Sequence, residues 1–432
     1  MEKETMETKI IYRKPLGNVS RKYRQDNLII STFRALTKKT RRGLELCKDM
    51  GFDMVEFGWV NAEDSYKCVS ACEEVGIDCI IQNWDVFGGF QTTEGKFVTD
   101  VEKIKEYIQY TKKYKHIVGY YVWDEPYVDE KIKAAAELVE IFEELDPERL
   151  PFTVAIPSYN DKWTWANGKF EEYLRKYTDT INPPVLSLDH YPFGHNKPER
   201  PRQLDNSKVF LDLALMRKIC LEKNIPMWFY FQSQDGPGDY SYKGFSPEKV
   251  RTQIYMALMH GAVGLQNYNV YNGAITEEAE LGPLYFFTKD INRRCHQLGR
   301  TLMALTSIGV FHSPEVLDEN PAFDVFRQSV LDSRVLAERE LPFRCSVGEF
   351  VDAEDNCYLL IQNRDYVDAR EFRLKLKQKF RIYEVCQEDG MQIIRNNRTQ
   401  TLTVKLQPGD ATLLRFQNAN EEKYLIDYVL EK

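Results

Sequence analysis

"GYYVWDEPY", residues 119–127, is an apolar and aromatic run that stops at two adjacent acids and a proline. Residues 118–123 are near-continuously apolar rather than alternating, as expected for a parallel strand covered by helices. Pro126 has no N–H to donate and closes the strand. A helical pattern follows at once in "DEKIKAAAELVEIFEEL" (129–145), with Asp129 expected as the N-cap. A second apolar run, "PFTVAI" (151–156), comes next. Strand, helix and strand in this order make one β/α unit.

The same grammar extends in both directions. Apolar runs of strand length occur at "LIISTF" (28–33), "MVEFGWV" (54–60) and "CIIQNW" (79–84) before it. "VLSLDHY" (185–191), "MWFYFQ" (227–232) and "VGLQNYNVY" (263–271) follow it, which makes eight. Between them lie helical segments with legible ends. "SPEKVRTQIYMALMHGA" (246–262) opens on Ser246 as N-cap and Pro247 as first helical residue, and "SYKCVSACEEVGI" (65–77) closes at Gly76. Eight β/α units in series predict a (β/α)8 barrel over 27–305, behind an N-terminal extension at 1–26. A doubly wound sheet is the alternative, and the lack of a glycine-rich phosphate turn counts against it.

From about residue 340 short runs such as "CSVGEFVDA", "NCYLLIQNR", "REFRLKLK" and "TQTLTVKL" alternate with turn signals such as "AEDN", "QEDG" and "PGD". This predicts an antiparallel β-sandwich over 341–432, joined to the barrel by a crossing segment at 306–340. Its tail, "NEEKYLIDYVLEK", reads as a short helix packing back on the body.

Bulk properties narrow the function classes. A chain of 432 residues with 43% hydrophobic and 29% charged residues is ordinary for a folded protein of two domains. A net charge of −8 and a pI near 5.5 argue against a nucleic-acid partner. No run of 18 or more apolar residues predicts a membrane span. The start, "MEKETMETKIIYRK", has no apolar leader, so a cytoplasmic site is expected, or a periplasmic or secreted one if a leader was removed. The 9 cysteines show no C-x-x-C pair, and Cys68 and Cys72 have no partner pair, so free buried thiols in a reducing compartment are expected. His190 and His195 match no metal-ligand spacing. No phosphate loop or G-x-S-x-G turn occurs, and no cofactor is expected.

A (β/α)8 barrel places its chemistry at the C-terminal ends of its strands. The tips here carry Arg34, Glu56 with Trp59, Gln82-Asn83-Trp84-Asp85, Asp124-Glu125, Ser158, Asp189-His190-Tyr191, Gln232 with Gln234 and Asp235, and Gln266-Asn267-Tyr268-Asn269. Acids and amides bond hydroxyls while flat rings cover sugar faces, so a carbohydrate is the expected substrate. Strict alternation puts Tyr121, Trp123 and Glu125 on one side of the strand and Asp124 on the other. A carboxyl among Trp and Tyr rings has its ionised form disfavoured, which suits a general acid.

"GYYVWDEP" resembles the fourth-strand signature of clan-A (β/α)8 glycoside hydrolases, in which Asn/Asp-Glu-Pro presents the acid/base glutamate. "RTQIYMALMHGAVGLQNYNVY", "INRRCHQLGRTLMALTS" and "VGEFVD…LQPGDATLLRF" resemble bacterial glycoside hydrolases built from a barrel and a C-terminal β-sandwich. The resemblance implies Glu125 as acid/base and Asp124 in the supporting place. It also implies a nucleophilic glutamate at the seventh strand, where this chain reads "MWFYFQSQDG". An amide cannot form a glycosyl ester. Three readings stand: Asp235 as a displaced nucleophile; inversion, with water activated by Asp189, Asp85 or Glu56; or a carbohydrate-binding barrel without hydrolysis. A lyase or isomerase using Glu125 as base is a further alternative. Trp84, Trp123, Tyr191 and Tyr268 are expected to line sugar subsites, with Glu56, Asp85, His190, Gln232 and Gln234 bonding hydroxyls.

Overall fold

The computed structural model describes residues 25–34, 38–88, 99–158, 170–193, 208–233, 245–271, 273–316, 324 and 327–418. Eight parallel strands close into a barrel in chain order: β1 (Ile29–Phe33), β2 (Met54–Phe57), β3 (Asp78–Ile81), β4 (Ile117–Asp124), β5 (Leu150–Ala155), β6 (Leu186–Asp189), β7 (Met227–Gln232) and β8 (Gly264–Tyr268). The eight helices α1 (Thr40–Asp49), α2 (Ala62–Val75), α3 (Val101–Thr111), α4 (Asp129–Leu145), α5 (Phe170–Ile181), α6 (Val209–Lys223), α7 (Pro247–Met259) and α8 (Tyr285–Leu302) follow the strands. Being covered outside and filled inside, the strands bury nearly every residue, which explains why they read as continuous apolar runs. Along β7, Trp228 and Tyr230 fill the barrel interior while Met227, Phe229 and Phe231 pack under the helices. The interior has room for the Trp228 indole because position 264 is glycine; a Cβ there would lie 2.3 Å from the ring.

Local signals set the helix ends. The Asn61 side chain accepts from the Asp64 N–H, Ser246 caps α7 ahead of Pro247, and Gly76 ends α2 at φ 70°. At α4 the structure differs from the expected cap. Val128 holds the N-cap position without a side-chain bond, and Asp129, one residue inside, pairs with Lys176 at 2.5 Å.

The C-terminal part is a six-stranded antiparallel sheet of β9 (Thr306–His312), β10 (Cys345–Val351), β11 (Cys357–Asn363), β12 (Arg370–Val385), β13 (Gln392–Leu406) and β14 (Ala411–Asn418), in the order β13-β12-β14-β11-β10-β9. Its edge strand β9 comes from the segment that the sequence pattern reads as a crossing. β12 pairs with β14 only through residues 380–384, while residues 370–375 pair with β13 alone, and the register shifts between the two stretches. The sheet therefore folds over on itself at the irregularity, as sandwich corners do. Phe372, Leu374, Leu402 and Val404 of the folded leaf share one core with Val347, Leu359, Ile361 and Leu414 of the main sheet.

The opposite face of the sheet packs on α7. Gly348 sits against Met259, where a Cβ would lie 2.6 Å from the carbonyl oxygen. Gln362 Nε2 donates to the Thr252 carbonyl at 2.8 Å, and Arg251 Nε donates to the Pro408 carbonyl at 3.2 Å. Beyond the sheet, Tyr366 meets Phe193 edge-on with ring centres 5.3 Å apart. Among the described residues no helix is long and apolar enough to cross a membrane. All nine cysteines are free, and seven are buried. The expected N-terminal extension and C-terminal helix lie outside the described residues, apart from Gln25 and Asp26.

Candidate active site

A cavity of about 410 Å³ opens at the C-terminal mouth of the barrel. Its wall takes Phe33 and Arg34 from the end of β1, Trp59 from β2, Tyr121, Asp124 and Glu125 from β4, and Val154 from β5. Asp189 and Tyr191 come from β6, Tyr230 from β7, and Tyr268, Asn269 and Tyr271 from β8. The rings form a continuous platform: Phe33 stacks on Tyr268 at 5.5 Å, and Tyr268 lies 4.9 Å from Tyr191.

Both acids of the strand-4 tip face this cavity, against strict alternation. Two local irregularities are responsible. The β4–β5 register shifts between Tyr121 and Trp123, so that Tyr121 is opposite Phe152, Trp123 opposite Thr153 and Asp124 opposite Val154. One extra residue in β4 turns Val122 and Trp123 together toward the helices and returns Asp124 to the side of Tyr121. Tyr121 and Asp124 are accordingly bonded, hydroxyl to Oδ1, at 2.9 Å. Glu125 then leaves the strand with φ 48°, the left-handed region, and this turn brings its side chain to the same cavity. Arg34 (φ 46°) and Trp59 (φ 59°), at the tips of β1 and β2, share that conformation. Three strained tips around one cavity are the pattern expected of a functional site.

The carboxyls interact strongly. Glu125 and Asp189, at the tips of β4 and β6, line the same cavity and act on each other's proton affinity. Burial, then the neighbouring charges of Asp189 and Asp124, push the Glu125 carboxyl up to about 10. Burial and the Asp124 charge raise Asp189 to about 7, against the bonds it accepts from Glu125 and Tyr191. The pair thus holds one proton between two oxygen acids near neutral pH. Asp124 is also raised by burial, opposed by the Tyr121 hydroxyl and by the Trp59 indole, whose Nε1 donates to Oδ2 at 2.9 Å. Trp59 can lie there because Gly58 admits the Phe33 ring; a Cβ at 58 would stand 2.7 Å from it.

Several residues expected at the site lie elsewhere. Glu56 is buried inside the barrel, where it accepts from Ser31 Oγ at 2.5 Å, Gln266 Nε2 at 2.8 Å and the Tyr230 hydroxyl. It braces the floor from below, because residue 56 is the inward position of a strand that ends one residue later. Trp123 packs under the helices for the reason given above. Trp84 stands exposed on a helical turn after β3, and Asp85 accepts from the Ala62 N–H at 2.7 Å, anchoring the start of α2. His190 is fully buried, its Nδ1 2.6 Å from Asp212 of α6. Gln232 is consumed by the Phe193 backbone, accepting from its N–H at 2.8 Å and donating to its carbonyl at 3.1 Å. Gln234, Asp235 and His195 lie outside the described residues. Tyr230 and Tyr271 line the cavity without having been singled out from the sequence; Tyr230 is two residues before the polar tip, in the same inward phase.

No known protein-family signature matches the chain, and no curated protein matches it in sequence. Solved structures do resemble it. An Anoxybacillus α-amylase is similar over 91% of this chain and 98% of its own, at 11% identity and a TM-score of 0.51. A family 30 subfamily 8 xylanase from Clostridium acetobutylicum covers 94% of this chain and 100% of its own, at 8% identity and a TM-score of 0.46. A family 51 arabinofuranosidase from Xanthomonas axonopodis pv. citri covers 94% and 98%, at 10% identity and a TM-score of 0.47. At such identities the likeness is one of fold alone: a (β/α)8 barrel followed by an antiparallel β-domain.

Proposed function

We propose that the protein is a glycoside hydrolase in which Glu125 is the general acid and Asp189 its partner carboxylate. The observation that carries this reading is the meeting of Glu125, Asp189 and Asp124 in one aromatic cavity at the C-terminal end of the barrel strands. Protonated Glu125 gives its proton to the glycosidic oxygen as the C–O bond breaks, and ionised Asp189 faces the positive charge developing on the sugar. Asp124, held by Tyr121 and Trp59, fixes the indole that covers one sugar face.

Retaining enzymes hold their two carboxyls about 5–5.5 Å apart and inverting ones about 6.5–9.5 Å. Carboxyls close enough to shift each other's proton affinity this strongly suit the retaining arrangement better than one with a water between them. Asp189 then forms the glycosyl ester, and Glu125, now ionised, deprotonates the water that cleaves it. This reading needs no acid at the strand-7 tip and favours hydrolysis over a binding barrel or a lyase.

Turnover of a panel of 4-nitrophenyl glycosides tests it. Glu125→Gln is expected to lower kcat by about 10³-fold or more on any substrate that the wild type cleaves. Asp189→Asn is expected to do the same, and NMR of the first-formed product is expected to show the starting anomeric configuration. Turnover unchanged in Glu125→Gln would end the proposal, and an inverted product would make Asp189 the base for water.

A further inference from the structure

Arg34 projects from the tip of β1 into the wall of the cavity. Among the described residues its guanidinium makes no hydrogen bond and no ion pair. Three acids of the neighbouring strand tips and of the loop after β8 are engaged elsewhere. Glu56 is filled by Ser31, Gln266 and Tyr230; Asp124 by Tyr121 and Trp59; and Glu278 by Lys38. Tyr271, on the same wall, has its hydroxyl buried without a hydrogen-bond partner among the described residues, and the Arg34 charge acts on it. A half-buried cation and an unused donor, with no acceptor supplied among the described residues, make an incomplete ion pair.

The ring order of the barrel locates this feature. β1 is three strands from β4 in one direction and three from β6 in the other. Arg34 therefore stands across the cavity from Glu125 and Asp189, where it meets a part of the ligand remote from the reacting bond. A guanidinium matches a carboxylate, phosphate or sulfate through parallel N–H bonds, a geometry that neutral hydroxyls do not fill.

Resting on the hydrolase reading above, we infer that the substrate is an anionic sugar, whose carboxylate or ester oxyanion pairs with Arg34 on the side of the cavity opposite Glu125 and Asp189. The proton held by the acid pair fits this, since it removes one of the three negative charges that would repel an anion.

The test uses matched 4-nitrophenyl glycosides, α and β, gluco and galacto, each as the neutral hexoside, the hexuronide and the 6-phosphohexoside. In at least one set a charged member is expected to exceed the neutral one in kcat/KM by about 30-fold, the worth of a charge-assisted hydrogen bond. Arg34→Gln is expected to cut that ratio at least about tenfold and Arg34→Lys to keep part of it, with thermal melting to show that both variants fold. Preference for the uronide assigns the carboxylate, and preference for the phosphosugar assigns the phosphate. Calorimetry on Glu125→Gln with glucuronate, galacturonate, glucose 6-phosphate and glucose separates the two claims. Arg34-dependent binding of an anion without turnover of any glycoside supports the anion site and removes the hydrolase. Neutral hexosides cleaved as well as charged ones, or anion binding unaffected by Arg34→Gln, or no anion bound at all, overturns the anion site.

Discussion

Glu125 carries two costs at one position, a left-handed backbone and a carboxyl kept protonated by burial and by its neighbours. The first costs about 1–2 kcal/mol for a residue with a Cβ. The second gives the site its pH dependence. On the proposed mechanism the active form is the singly protonated pair, so kcat/KM is expected to rise through about pH 7 and fall through about pH 10, and Glu125→Gln is expected to abolish the alkaline limb. Stability carries the matching sign. Folded-state values raised above those of the unfolded chain mean that the pair's contribution is complete in acid and is lost as pH rises through about 7 and then about 10. The wild type should therefore lose more Tm between pH 6 and pH 9 than the double variant Glu125→Gln, Asp189→Asn. A flat pH–rate profile across that window would contradict the shared proton. Glu125 and Asp189 were both readable as strand-terminal acids, but their contact was not. It depends on the left-handed turn at Glu125, which no glycine or asparagine announces.

At the scale of elements, the eight strands and the helix caps at Asn61, Ser246 and Gly76 are matters of local pattern, and pattern recovers them. The extra residue in β4 is different. "YVW" carries no glycine or proline to mark it, so a period of two predicts the wrong face for Trp123 and Asp124. Gly58 offers a test of how tightly the β1, β2 and β4 tips are fitted. The Phe33 ring, packed on Tyr121, Tyr230 and Tyr268, has little space to withdraw from a new Cβ. Gly58→Ala is expected to cost about 1–3 kcal/mol in urea unfolding. KM should rise with it, because the displaced ring is cavity wall. An unchanged midpoint and KM would mean that the tips are looser than their spacing implies.

For the molecule as a whole, the C-terminal sheet does more than follow the barrel. It covers α7, on which Val250 and residues 252–259 are all buried, and it sets Tyr366 against Phe193, whose backbone is tied to Gln232 of β7. A chain ended at residue 305 should therefore lose soluble yield and cooperative melting, since α7 would present its apolar outer face to water. A soluble, sharply melting barrel from that truncation would show that the sheet is an independent attachment. The two-sided burial of α7 also governs how the protein is made. The strands that shelter it, Thr306–His312 to Ala411–Asn418, leave the ribosome after it. At about 5–20 residues per second the helix stays uncovered for on the order of ten seconds after it emerges. Nascent chains of this protein should for that interval be clients of holding chaperones, and a codon pause between the barrel and the sheet would lengthen their exposure.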